Sequence, residues 1–364
     1  MKHLTAPGSA SVVCAMDDST TQTSPEDLQF ALDDPDHRLA AVRLWQEVRL
    51  PSDRLDFRFA AGAWRLTIPR QPVDRMEYLF ELTHGDGGRE TICDPTNPLR
   101  VGGAFGDHSV LEFGSYVHPA WLAATTGPGV IEPIKVDAPE LGQSVGGLLW
   151  SPARLAPHDR AALLVVHDGP EYDQLARFTQ YLAAMIELGR VAPMRAALLA
   201  PGPRDEWYSA SGRYGRALTG SVLAALRARV DVTAVIGVGA SLGALEMLMA
   251  HRAAPDAFDG LFLQSGSYFQ RGLDASESTF SEFERIARNV SGVVASAGGR
   301  RPVPVVLTCG GLEENLGNNR AMARALAAQG YPVALHEVRD VHNYTAWRDA
   351  LDPYLTNLMI EVVA

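Results

Sequence analysis

Hydrophobic positions fall into two patterns along this chain. Over residues 36–113 they come in short runs broken by glycine, proline and aspartate, as in "AVRLWQEVRL", "FRFAAGAWRLTI", "MEYLFELTHGDGG" and "SVLEF". Short β-prone runs punctuated in this way predict a small antiparallel sandwich. Beyond "HPAWLAATTGPGVIEP", residues 118–133, the runs become longer and purely apolar: "SVGGLLW", "AALLVVHDG", "RAALLAPG", "AVIGVGAS", "GLFLQSGS" and "PVVLTCGG". Strands apolar on both faces and separated by helices predict a mainly parallel sheet in an α/β fold. "YDQLARFTQYLAAMIELG" and "NNRAMARALAAQG" are the clearest helices, each closed by a glycine. The expected organisation is a loose leader over residues 1–30, a sandwich over 31–125 and an α/β domain over 130–364, with no internal repeat.

Composition narrows the partners. With 43 acidic against 32 basic side chains the net charge is −11, which disfavours a nucleic-acid backbone or an anionic membrane surface. Cys14, Cys93 and Cys309 have neither CxxC nor zinc-type spacing, so neither disulfides nor a metal site are expected of them. The opening thirty residues hold no apolar run long enough for a signal segment, and nothing approaches the roughly 20 apolar residues of a membrane span. A cytoplasmic protein is expected.

The chemistry gathers in the second part. In an open parallel sheet, ligands bind beyond the carboxyl ends of the strands. Those ends would carry His167-Asp168-Gly169, Ser241, residues 265–267, Glu313-Glu314 and His342. The stretch "AVIGVGASLGALEMLMAH" decides between two kinds of turn. A dinucleotide turn, GxGxxG, would need glycine where Leu242 stands, and no phosphate loop of the GxxxxGK[ST] type occurs. What matches is GxSxG, Gly239-Ala240-Ser241-Leu242-Gly243, between an apolar strand and a helix. Such a turn holds its serine in a strained conformation with the hydroxyl exposed, as a nucleophile does.

A serine nucleophile needs an oriented base. His342 in "VRDVHNYTAWRDAL" is the candidate, His336 lying within the strand "PVALHEV". The acid would be Glu313 in "VVLTCGGLEENLGNN", with adjacent Glu314 as the alternative, or else both glutamates form a solvated loop. The Leu242 amide would supply one oxyanion donor. The second would come from the loop after "ALLVVHDG", where Pro170 has no N–H and leaves Asp168, Gly169 or Glu171; Gly169 is the first choice. Asp168, Arg204, Tyr268 and Trp347 are the substrate-binding candidates. Arg204 either holds an anionic group or pairs with Asp205 or Glu206, and the two aromatic residues either line the pocket or pack. No metal or organic cofactor is required.

The motifs "HDGPEY", "PRDEWYSASGRY", "GASLGALEML", "LFLQSGSYF", "GGLEENLGNNRAM" and "HNYTAWRDAL", in that order, resemble the esterase D group of α/β-hydrolases, most closely the enterochelin (ferric siderophore) esterases. Upstream, "WRLTIP", "YLFEL", "DPTNPL", "HSVLEF" and "HPAWL" resemble the early-set immunoglobulin-like domain that precedes the hydrolase in those enzymes. The resemblance implies Ser241 as nucleophile, Glu313 as acid and His342 as base. It further implies hydrolysis of the ester bonds in a catecholate siderophore trilactone, releasing iron inside the cell. The alternatives are a general carboxylesterase of feruloyl or acetyl type, an acyltransferase, or a non-catalytic binding protein on the same fold.

Overall fold

Among the described residues, alternation of apolar and polar positions in the first third of the chain yields eight antiparallel strands: β1 (Leu28–Asp33), β2 (Leu39–Gln46), β3 (Arg58–Ala60), β4 (Ala63–Ile68), β5 (Arg75–His84), β6 (Arg89–Ile92), β7 (Arg100–Gly103) and β8 (Gly106–Glu112). The computed structural model describes residues 27–48, 50–156, 158–298 and 301–364. The leader expected over residues 1–30 therefore lies almost wholly outside the described residues, as does Cys14. Its last residues, from Leu28, already belong to β1. One sheet has the order β1-β4-β3. The other runs β2-β5-β8-β7, with β6 also paired to the long β5. Inward-facing Phe30, Leu44, Phe57, Trp64 and Phe80 form the core between them. β1, β6 and β7 are too short, or too polar, to stand out as apolar runs.

The longer apolar runs form an eight-stranded sheet from β9 (Val130–Ala138), β10 (Gln143–Ser151), β11 (Ala161–Val166), β12 (Met194–Leu199), β13 (Val232–Ala240), β14 (Gly260–Gln264), β15 (Val305–Gly310) and β16 (Val333–Val338). Its order is β9-β10-β12-β11-β13-β14-β15-β16. The first two strands are antiparallel and the remaining six parallel. Strands β11, β12 and β15 are buried at every position, because helices cover both faces. Side chains go alternately to the two faces: Leu163, Val165, Val235 and Leu263 to one core, and Leu164, Val166, Ile236 and Val238 to the other. This is an α/β-hydrolase sheet preceded by an antiparallel sandwich, as the two patterns predict. Among the described residues no helix is long and apolar enough to cross a membrane.

One predicted helix is two. The segment read as continuous from Tyr172 breaks into helices Gly169–Ala176 and Phe178–Glu187, because Arg177 adopts φ 55°, ψ 40°. The Asp173 carboxylate stabilises the break by accepting hydrogen bonds from the Thr179 amide (2.9 Å) and hydroxyl (2.6 Å) in the first turn of the second helix. A side-chain acceptor of this kind competes with continued helix. Replacing Asp173 by Ala should therefore cost about 1 kcal/mol of unfolding free energy, as loss of a helix-capping acceptor does, with an unchanged denaturant m-value in urea titration.

Candidate active site

At the carboxyl end of β13 the chain turns into helix Leu242–Ala253 through Ser241, which sits at φ 55°, ψ −125°. A non-glycine residue there is strained, and its surroundings must hold it. The Ser241 amide donates to the Gln264 carbonyl (2.9 Å), and its own carbonyl accepts from the Ser267 amide (3.1 Å). The flanking glycines are required by close approach. A Cβ on Gly239 would lie 2.5 Å from the Gly243 carbonyl oxygen, and one on Gly243 would lie 3.1 Å from the His167 side chain. The Ser241 hydroxyl is 3.2 Å from that of Ser267, and both line a cavity of about 470 Å³.

His342 lines the same cavity from the loop after β16. Its Nδ1 donates to Glu313 Oε2 at 2.9 Å, which leaves Nε2 as the nitrogen with a free lone pair. The other oxygen of Glu313 accepts from the Ser265 hydroxyl and the Gly310 amide, each at 2.7 Å. Ser265 is itself at φ 46° and accepts at its hydroxyl from Trp347 Nε1 (3.0 Å). Glu313 is buried while Glu314 is exposed; the carboxylate that meets the imidazole is that of Glu313. Burial lowers the His342 pKa, and the hydrogen bond and charge of Glu313 outweigh it, so the net shift is upward.

Two helix N-termini converge beside the elbow. Leu242 and Gly169 are each the first residue of their helix, so their amides have no acceptor within it. His167 ties the two turns together by donating from Nδ1 to the Gly243 carbonyl (2.8 Å). Burial holds its pKa down to about 4, so the ring is neutral. A Cβ on Gly169 would lie 2.3 Å from the Leu198 backbone, so only glycine fits.

A model of the Esterase family matches residues 138–358, more than half of the chain. The chain belongs to the Esterase family. Solved structures extend the likeness to the sandwich. The ferric enterobactin esterase of Salmonella typhimurium is 19% identical with a TM-score of 0.74, covering 94% of this chain and 98% of its own. The enterobactin esterase of Shigella flexneri, solved in the presence of enterobactin, is 19% identical at 0.70, covering 94% and 96%. A ferulic acid esterase is 13% identical at 0.55 and covers 64% of this chain and 98% of its own. No curated protein matches. As an Esterase-family member the chain is an ester hydrolase.

Three of the four residues expected to bind substrate are placed otherwise in this esterase, and the fourth falls with its partner. Arg204 pairs neither with Asp205 nor with Glu206. Its Nε and Nη2 make a two-pronged bond to Asp168, both at 2.9 Å, so the two candidates neutralise each other outside the cavity lining. Tyr268 is wholly buried and offers no surface to a ligand. Trp347 packs its ring edge-on against His342, with centroids 5.1 Å apart, and holds Ser265 through its indole nitrogen. For Tyr268 and Trp347 the packing alternative is the one the structure adopts, and Arg204 takes a carboxylate distant in sequence in place of its neighbours.

Phe269, Glu277 and Asn315 also line the cavity without having been singled out, but most of the missed residues lie in the sandwich. Gln46, Glu47, Val48, Leu50, Ser52 and Leu55 wall the cavity opposite Ser241. In the sequence they read as the end of a strand and an ordinary loop, and no motif marks them. Burial and the nearby Glu77 push Glu47 up to about 8. Glu277, beside Glu314 in the cavity lining, is raised by burial and by that neighbour to about 7. Among the described residues no His, Cys, Asp and Glu group is arranged to hold a metal ion. An acid whose folded pKa lies above its unfolded value opposes folding once pH exceeds the unfolded value, and the penalty grows up to the folded one. Glu47→Gln should therefore raise the melting temperature at pH 8 and leave it unchanged at pH 4, measured by scanning calorimetry.

Proposed function

We propose that this esterase works through an acyl-enzyme formed on Ser241, with His342 as general base and Glu313 as its orienting acid. The observation that carries the reading is the Glu313–His342 hydrogen bond opening onto the cavity that also holds the strained Ser241. On attack, Ser241 exchanges Ser267 for His342 Nε2, which takes the hydroxyl proton as Oγ bonds to the ester carbonyl carbon. The amides of Leu242 and Gly169 receive the oxyanion, and their fixed orientation favours the tetrahedral intermediate over the planar ester. The imidazolium then protonates the departing alcohol, water activated by the same nitrogen cleaves the acyl-enzyme, and Ser241 is restored. Glu313 stabilises the imidazolium throughout.

For the substrate, the ester linkages of a catecholate siderophore are the first reading. Its support is the match to two enterobactin esterases over nearly their whole lengths, and the sandwich that walls the cavity. A second reading, a neutral carboxylic ester of feruloyl or acetyl type, is favoured by charge. Among the described residues the lining carries Glu47, Glu277, Glu313 and Glu314 and neither lysine nor arginine; a ferric tris-catecholate complex is an anion, and its repulsion grows as pH rises past about 8 and Glu47 and Glu277 ionise.

Ser241→Ala and Glu313→Gln should each lower kcat for p-nitrophenyl acetate by about 10⁴-fold, and Glu314→Gln should leave it within about threefold. In the wild type, kcat/KM should rise with pH through an apparent pKa above the ordinary 6.5 of histidine. Loss at Glu314 instead of Glu313 would reassign the acid, and unchanged turnover by Ser241→Ala would end the serine mechanism. On substrates, iron-free enterobactin should be hydrolysed faster than its ferric complex at low ionic strength, with the gap narrowing in salt. A preference for simple aryl esters over both would select the general carboxylesterase.

A further inference from the structure

The loop that carries His342 leaves β16 and docks on the sandwich, more than 260 residues away in sequence. Val341 is buried inside the sandwich core. The Asp74 amide donates to the Arg339 carbonyl (2.8 Å), and the Arg339 guanidinium returns to the Asp74 carboxylate (2.8 Å). Between these lies Arg75, buried to 1% exposure. Its Nη1 donates to Asp340 Oδ2 (3.2 Å) and to Asn343 Oδ1 (3.1 Å), and its Nη2 donates to Glu77 Oε1 (2.7 Å). Asp340 and Asn343 bracket His342 in the chain. Asn343 Oδ1 also caps helix Tyr344–Asp349 by accepting from the Ala346 amide (2.8 Å), and Asn343 Nδ2 donates to Glu47 Oε2 (3.2 Å). Glu77 is fixed from behind by His108 Nδ1 (2.7 Å).

We propose that Arg75 is a positioning residue for catalysis: through Asp340 and Asn343 the sandwich sets where the His342 imidazole stands relative to Ser241. This rests on the serine-esterase reading above. The only side-chain hydrogen bond of His342 among the described residues is to Glu313, which orients the ring about one nitrogen. The backbone that carries the ring is fixed by contacts to the other part of the chain. A guanidinium suits this task because its rigid fork reaches three acceptors at once, which an ammonium on a flexible stem does not. A displacement of about 1 Å in a reacting group costs on the order of 10²-fold in rate, so the docking of this loop bears directly on turnover. Arg75 touches neither the cavity nor a reacting atom, and its removal should act on kcat.

The test uses the full chain. Arg75→Met should lower kcat for p-nitrophenyl acetate by on the order of 10²-fold, with KM within about twofold, at a temperature where circular dichroism reports a folded protein. Arg75→Lys, which keeps the charge, should recover part of that loss. Because Arg75→Met removes the cation that Glu77 and Asp340 share and can fail to fold, Arg75→Lys is decisive alone in that event, with an expected loss of about tenfold. In both folded variants the downfield proton resonance of His342 Nδ1 should shift or broaden. A purely structural role would lower the melting temperature and leave kcat and that resonance at wild-type values, and this result would overturn the proposal. Ser241→Ala run in parallel separates the two layers. If it is inactive while Arg75→Lys turns over normally, positioning alone fails; if it keeps full activity, the serine-esterase reading fails first.

Discussion

A carboxylate withdrawn from water must be surrounded by donors, and the arrangement of the site follows from meeting that demand at Glu313. Three of its donors come from three places: Ser265 at the end of β14, Gly310 at the end of β15 and His342 beyond β16. Each donor carries a structural requirement of its own. Ser265 accepts a left-handed backbone and is steadied by Trp347. Gly310 lacks a side chain because a Cβ would lie 2.2 Å from the Asp340 carbonyl oxygen. The imidazole must approach with its Nδ1 hydrogen, which fixes the tautomer and leaves Nε2 for chemistry.

The parallel sheet makes this convergence possible. Adjacent strands β13, β14 and β15 run in one direction, so the residues that follow them emerge side by side at one edge. The elbow at Ser241 is held by contacts from the same edge: its amide and carbonyl engage Gln264 and Ser267, and His167 grips Gly243. The strain at residue 241 is thus borne by neighbours that are themselves part of the candidate site. The buried, neutral His167 belongs to this frame, with its ring stacked on Tyr208.

The sandwich gives the site its other half. It supplies a wall to the cavity and a socket for residues 339–343, so the position of one catalytic candidate depends on chain folded some 260 residues earlier. The charges that join the two parts are buried and matched: Arg75 lies among Glu77, Asp340 and Asn343. Breaking such a group exposes its remaining members to an environment without water, whereas the intact group specifies one orientation of the two parts. The outer bridge between Asp74 and Arg339 is solvent-exposed and of lesser weight.

Local pattern determined much of this. The burial of strands on both faces, the alternation in the sandwich and the Gly-x-Ser-x-Gly turn are properties of short stretches, because periodicity and backbone sterics act between near neighbours. That Ser241, a glutamate of the pair Glu313-Glu314 and His342 follow strands of one sheet was also legible, whereas which glutamate meets the imidazole was settled by the loop after β15, which buries Glu313 and exposes Glu314. What the tertiary structure alone decided involves partners distant along the chain. Arg204 finds Asp168 and not the acids beside it, Arg177 turns left-handed where Asp173 claims Thr179, Tyr268 sinks into the core, and Gln46, Glu47, Val48, Leu50, Ser52 and Leu55 become a cavity wall. Each outcome depends on which surfaces meet once the sheets pack, and a hydrogen bond between residues 75 and 340 leaves no trace in the stretch around either one.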